Sequence, residues 1–188
     1  MTGHYIDLHI MPDPESGTAQ LLGTLYDRLH LALVQQRRDD IGVSFPRYST
    51  NPRAIGGVLR LHGSGDALRD FLQTDWLKGM RDHVRLTEIT LVPADALHRT
   101  VHRRQFKTNA DRLRRRRMRR KGETEQQATK AIPATVERRP DLPFVYLHSR
   151  STGQPFCLFI ALGPLLQTPV AGVFNSHALS TTTTIPWF

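Results

Sequence analysis

Among the side chains of this 188-residue sequence, nine histidines and a dense run of arginines have the most specific chemistry. Histidine has an ordinary pKa of about 6.5, so it can be neutral near pH 7 and take a proton from a hydroxyl. RNA offers a reaction that needs little else. A ribose 2′-OH attacks the adjacent phosphate when a base removes its proton and the oxygens are held in line, and no metal is required. Composition alone does not choose among nine histidines. His30 is the most interesting by position, since it sits beside Leu29 and Leu33 in a segment that otherwise forms core. A lone helix histidine is ordinarily a packing or surface residue, and that reading stays open. Ser149 ends an apolar strand just before a turn, and its ordinary reading is a turn residue.

Other chemistries find no motif. There is no P-loop, no His-Glu-x-x-His and no cluster of carboxylates. His98 and His102 have i,i+4 spacing, but no third ligand is near and the segment reads as extended, so no metal is assigned. A single cysteine, Cys157, excludes an intramolecular disulfide and a Cys-based zinc cluster, and suits a reducing cytoplasm. No cofactor is implied. The nearly apolar run Pro155 to Leu166 is broken by Gly163 and Pro164 and is shorter than the roughly 18 residues of a membrane span. Asp7, Asp13 and Glu15, with no basic n-region, argue against a secretory signal.

Charge narrows the partner. Lys and Arg number 26, Asp and Glu 17, a net of +9. Eight of the ten residues from Arg112 to Lys121 are basic and none is acidic, which leaves +1 for the other 178. So local a charge suits a polyanion, because each neutralised phosphate releases counterions. Only Ala110, Leu113 and Met118 are apolar between Asn109 and Gly122, so burial cannot be the main support of this helix. Residues three or four apart share a face, so Arg112, Arg116, Arg119 and Arg120 form one stripe with Arg115 beside it. Like charges at that spacing repel in the free protein, and a phosphate backbone reverses the sign. Arginine also suits bidentate contacts with phosphate and guanine. A solvated charge face or a basic tail is the plain alternative.

The elements that must position these residues are legible as patterns. Ile6, Leu8 and Ile10 alternate as a strand, and Leu22, Leu25, Leu29 and Leu33 space a helix over 18–36 with Ser16 or Thr18 as its cap. Ile41 to Phe45 and Val58 to His62 are short strands. Ser64 opens a second helix expected to continue past Trp76, and Val84 to Val92 reads as one strand. The order βαββαβ is the ferredoxin-like arrangement, shared with RNA-recognition motifs. The aromatic and basic signature of those motifs is missing from these strands, so base stacking on this sheet is not expected. Asn109 caps the arginine helix and Gly122 stops it, Thr124 with Gln127 forms a capping box, and Phe144 to Ser149 with Phe156 to Ala161 reads as a β-hairpin. The threonines at 181–184 read as an exposed strand or tail.

Several pieces, in order, resemble one family: Pro12-Asp13-Pro14-Glu15; Leu29-His30; Ile41 to Pro46; Arg103-Arg104-Gln105 with Lys107 and Asn109; Arg112 to Arg120; Leu142-Pro143-Phe144-Val145; Ser149 to Gln154 with Phe156 and Leu158-Phe159-Ile160; and Pro186-Trp187-Phe188. Together they resemble the CRISPR repeat endoribonucleases of type I-F systems, the Csy-type crRNA-processing enzymes. The resemblance runs almost end to end. It implies an α+β protein, with an N-terminal ferredoxin-like βαββαβ domain over 1–94. A C-terminal RNA-gripping domain would follow over 95–188, with the arginine-rich helix and the β-hairpin. It implies metal-independent cleavage of CRISPR repeat RNA at the 3′ base of its stem-loop, leaving a 2′,3′-cyclic phosphate and a 5′-OH.

Residue by residue, the resemblance makes His30 the general base and Ser149 the group that holds the attacking 2′-OH. Arg103 and Gln105 match the pair that reads base edges at the bottom of the stem, and Phe156 matches the aromatic that stacks on the terminal base pair. Arg116, Arg119 and Arg120, with Arg115 nearby, match the helix arginines that face the hairpin's major groove, and Arg112 belongs to the same stripe. Ser151 matches a further polar contact near the cut. One departure stands out: where the family commonly has a tyrosine that positions the catalytic histidine, this sequence has His177, followed by Ala178. His177 is therefore expected to alter the orientation of His30, or to share its proton work. The implied partners are the crRNA 3′ hairpin, to which the enzyme stays bound, and the subunits of a type I-F surveillance complex. The protein is expected to be cytoplasmic, monomeric when free and without a membrane partner. A non-catalytic hairpin-binding subunit of a guide-RNA complex shares the basic helix but needs neither His30 nor Ser149, and a general DNA- or rRNA-binding protein would show no preference for a hairpin.

Overall fold

The computed structural model describes residues 2–106, 110–136, 141–149 and 153–188. The expected cap Asn109 and the site residue Ser151 lie outside these. The protein is mixed α+β, with four α-helices among the described residues and several antiparallel sheets. None of those helices is long and apolar enough to cross a membrane.

The first half contains β1 (His4–Ile10), α1 (Thr18–Gln35), β2 (Gly42–Ser44), a small pair β3 (Ser49–Thr50) and β4 (Arg53–Ala54), β5 (Val58–Gly63), α2 (Gly65–Leu72), β6 (Val84–Leu86) and β7 (Thr90–Leu91). The main sheet runs β2-β5-β1-β6 in antiparallel register, with β7 also on β1. Cross-strand partners share a face. Val43, Leu61 and Ile6 line one face with Leu59 and Leu8, and all five are buried in the core with the apolar side of α1 and with Leu68 and Phe71 of α2. Ser64 caps α2 by accepting from the Ala67 amide.

The opposite face of this sheet is not open. Phe174 and Ile185 lie so close over Gly42 that a Cβ there would meet them at 2.6 and 2.7 Å. Further along, Arg60 makes a two-pronged salt bridge to Asp7 and lies over the rings of Tyr5 and Phe188, 4.4 and 4.2 Å from their centroids, the two rings themselves meeting edge to face at 4.9 Å. The surface on which an RNA-recognition motif would stack bases is thus occupied by the chain's own residues 174–188.

The second half contains β8 (Leu97–Arg99), β9 (Val101–Arg104), α3 (Ala110–Lys121), α4 (Glu125–Ala131), β10 (Phe144–His148), β11 (Pro155–Leu162) and β12 (Ile185–Trp187). β10, β11 and β9 form a three-stranded sheet in that order, and β12 pairs with β8. Val101, Val145, Leu147, Leu158 and Ile160 are buried in the same core as α1. By internal contacts the chain divides into two compact units, Met1–Arg103 with Leu142–Phe188, and Arg104–Asp141.

Four local expectations need correction. The residue before α1 is Gly17, with no side-chain cap, so neither Ser16 nor Thr18 plays that part. α2 stops at Leu72: the Thr74 hydroxyl bonds back to the Phe71 carbonyl, and Trp76 reaches the core from the following turn, 5.1 Å from the Phe71 ring. The strand expected over 84–92 is broken into β6 and β7, with the Thr87 amide bonded to the Asp7 carbonyl between them. Thr183 and Thr184 are buried, because their hydroxyls satisfy backbone: Thr184 accepts from the Val170 amide at 2.8 Å and Thr183 donates to the Val173 carbonyl at 3.1 Å.

Candidate active site

α1 supplies three polar groups to one end of the first unit. Tyr26 is fully buried, and its hydroxyl donates to the His177 carbonyl at 2.6 Å, while burial pushes the phenol pKa up. Asp27 accepts from the His148 amide at 3.3 Å. His30, half-buried, places Nδ1 2.6 Å from the Ser176 carbonyl oxygen. A carbonyl only accepts, so Nδ1 must carry the proton in that bond. In neutral His30 the lone pair is then on Nε2, the nitrogen free to take a proton from elsewhere.

The loop that receives these bonds is tightly built. The Asn175 side-chain oxygen accepts from the amides of His177 and Leu179 at 2.8 and 3.2 Å, and Asn175 and Leu179 also pair through their backbones. Ala178 takes a left-handed backbone, φ +56°, and its carbonyl accepts from the Val43 amide of β2. The loop thereby stacks the His177 ring on that of His30, centroids 3.9 Å apart and planes 17° from parallel, with Tyr26 on the same helix 6.4 Å away. Burial first, then the charges of His30 and Arg103, pushes the His177 pKa down to about 4. His177 is neutral at pH 7.

Ser149 follows β10 directly. Its amide donates to the Gln154 carbonyl and its carbonyl accepts from Gly153, which closes the hairpin turn, with Gly153 at φ +67°. β10 is the edge strand of its sheet and packs along α1. On the same sheet Arg103 lies 5.8 Å over the ring of half-buried Phe156, within reach of a cation–π contact. The structure thus brings His30 to His177 and Arg103 to Phe156, and ties the residue preceding Ser149 to the helix that carries His30.

The remaining described site residues belong to the second unit. Gln105 is exposed. α3 sorts its arginines into two sets. Arg114 bonds to Asp111 and to the Ile132 carbonyl, and Arg117 makes a two-pronged pair with Glu123, which raises the guanidinium pKa and lowers that of the carboxyl. Both are half-buried, whereas Arg112, Arg115, Arg116, Arg119 and Arg120 are exposed. α3 stops at Gly122, φ +65°, and α4 opens with the Thr124–Gln127 capping box. Among the described residues no three His, Cys, Asp or Glu side chains converge as metal ligands.

Tyr26, Asp27, Asn175 and Ser176 were not singled out by the sequence. Asn175 had a signal, since asparagine followed by serine favours a turn. A carbonyl such as that of Ser176 has none, because every residue carries one.

Residues 5–188 match the model of the family described as CRISPR-associated protein (Cas_Csy4). The chain is 49% identical to a protein named CRISPR-associated endonuclease Cas6/Csy4 from Pseudomonas aeruginosa (strain UCBPP-PA14), over 98% of this chain and 99% of that one. It is 42% identical to a protein of the same name from Escherichia coli (strain UTI89 / UPEC), with the same coverage. At that identity and coverage, the chain belongs to the Cas_Csy4 family.

Proposed function

We propose that the protein is the crRNA-processing endoribonuclease of a type I-F system, cutting CRISPR repeat RNA at the 3′ base of its stem-loop without a metal ion. The observation that carries this reading is the bond from His30 Nδ1 to the Ser176 carbonyl, which leaves Nε2 to act as base. Nε2 takes the proton of the 2′-OH upstream of the cut, held by the Ser149 hydroxyl. The 2′ oxygen attacks phosphorus, the bond to the 5′ oxygen breaks, and the leaving oxygen takes a proton from solvent. The products are a 2′,3′-cyclic phosphate and a 5′-OH. His177 orients the base from its stacked position.

The exposure of Arg112, Arg115, Arg116, Arg119 and Arg120 supports their assignment to the hairpin's phosphates and groove, with Arg114 and Arg117 holding the helix instead. Arg103 and Gln105 read base edges at the foot of the stem, Phe156 stacks on its last pair, and Ser151 adds a contact near the cut. The strand order β2-β5-β1-β6, with α1 and α2 packed on β1, supports a ferredoxin-like reading of 1–94. Among the described residues no sheet mixes strands from the two sides of residue 94, which supports an RNA-gripping domain over 95–188. The free protein is a monomer that stays on the crRNA 3′ hairpin and joins the surveillance complex through it.

Incubating the purified chain with repeat RNA in EDTA tests this. Cleavage is expected, and a repeat with 2′-deoxyribose at the scissile position should bind but stay whole. His30→Ala should abolish cleavage with RNA affinity within about twofold. Binding without cleavage by the wild-type chain would favour the non-catalytic subunit, and cutting of the deoxy repeat would overturn the mechanism.

A further inference from the structure

β10 is an edge strand, so every second residue turns its backbone N–H and C=O away from the sheet. Among those outward groups, the Tyr146 carbonyl and the His148 amide meet α1. The Tyr146 carbonyl lies where a Cβ on Gly23 would stand, so only glycine lets the strand come this close. The His148 amide is bonded to Asp27. Gly23, Asp27 and His30 are spaced i, i+4, i+7 and share one side of the helix. From Gly23 to Asp27 the helix rises about 6 Å, and from Tyr146 to His148 the strand advances about 6.6 Å. Helix and strand therefore advance in step and in the same direction. Three residues further along the helix, about 4.5 Å, comes His30, and one residue beyond His148 along the chain comes Ser149.

From this match we infer that Gly23 and Asp27 are positioning residues, which fix the register of β10 on α1 and with it the reach between His30 and Ser149. The inference rests on the roles given above to His30 and Ser149. Gly23 sets how closely strand and helix approach, and Asp27 locks one strand position against one helical turn. Neither touches the RNA. Loss of the Asp27 bond lets the edge of β10 slide or lift by a fraction of an ångström, and a reacting geometry displaced by that much loses rate without losing substrate.

The test uses the full chain and the stem-loop RNA of the CRISPR repeat beside its gene. Single-turnover cleavage, affinity for the uncleavable 2′-deoxy repeat and hydrogen exchange at the His148 amide are measured for Asp27→Ala, Asp27→Asn and Asp27→Glu. Asp27→Ala should cut 10- to 100-fold more slowly, bind within about twofold of wild type, and exchange the His148 amide at least tenfold faster. Asp27→Asn keeps an acceptor oxygen at the same reach and should recover the rate to within about threefold. Asp27→Glu keeps the charge but lengthens the reach and should stay slow. A wild-type rate in Asp27→Ala, or an unchanged His148 amide, would overturn the proposal alone. A wild-type chain that does not cleave would remove the underlying reading and the proposal with it, and is told apart by that control.

Discussion

Two imidazoles 3.9 Å apart cannot both hold a proton without repelling each other, and burial decides that His177 is the one that stays neutral. The neutral His177 ring lies flat against that of His30, so it can hold the His30 ring by contact alone. If His177 serves by its flat face, His177→Phe should cleave within about threefold of wild type in single turnover. His177→Ala should then be slower by about tenfold or more. Equal losses in both variants, with a changed pH profile, would show that the His177 nitrogens move protons. The sequence put His177 at the family's tyrosine position, which made it worth watching. It could not give the stacking, because the bond that sets the His30 ring reaches Ser176 across 146 positions and is received by a bare carbonyl. Asp27 was silent for the same reason: an acid on a helix reads as a solvated surface group until a strand edge is laid beside it.

At the scale of elements, α3 divides the work of its arginines by face, and this gives two opposite expectations. Arg116→Ala should weaken repeat binding and lower the slope of log affinity against log salt by about 0.7 to 0.9, the value of one phosphate contact. Arg114→Ala removes bonds to Asp111 and Ile132 and should lower the thermal stability of α3 and α4, with the salt slope nearly unchanged. Salt titrations of binding, beside a circular dichroism melt, separate the two. Elements closed by local chemistry were legible: Ser64 and Thr124 cap their helices and Gly122 ends one, because each bond spans only a few residues. The end of α2 was not, since the spacing of Leu68, Phe71, Leu72 and Trp76 fits a longer helix, whereas the chain turns after Leu72 with the Thr74 amide and hydroxyl both bonded to the Phe71 carbonyl. The buried threonines near the C-terminus fell outside local reasoning too, because their hydroxyls answer amides and carbonyls 10 to 14 residues away.

At the scale of the whole molecule, the covered face of the main sheet sets the response to acid. His62 is fully buried there, with Nε2 2.8 Å from the Ser44 hydroxyl, and burial, then the charge of Arg60, pushes its pKa down to about 3. An unfolded chain would protonate this residue near 6.5. Below that pH the unfolded state binds the extra proton, so the folded state loses stability as pH falls from 6.5 towards 3, and gains nothing from His62 above 6.5. His62→Gln should start from a lower stability at pH 7 and show a shallower decline between pH 6.5 and 4, read by urea midpoints across that range. A parallel decline in both proteins would assign the acid sensitivity to other groups. The same covered face has a consequence for biosynthesis. One core runs from Ile6 to Ile185, and the lining of Gly42 and the loop that seats His30 both come from residues 174–185. The first strands therefore cannot finish packing until residues 174–185 have been made. A chain cut short before residue 174 would lack both lining and loop, leaving the sheet open over Gly42 and the His30 ring without its bond to Ser176.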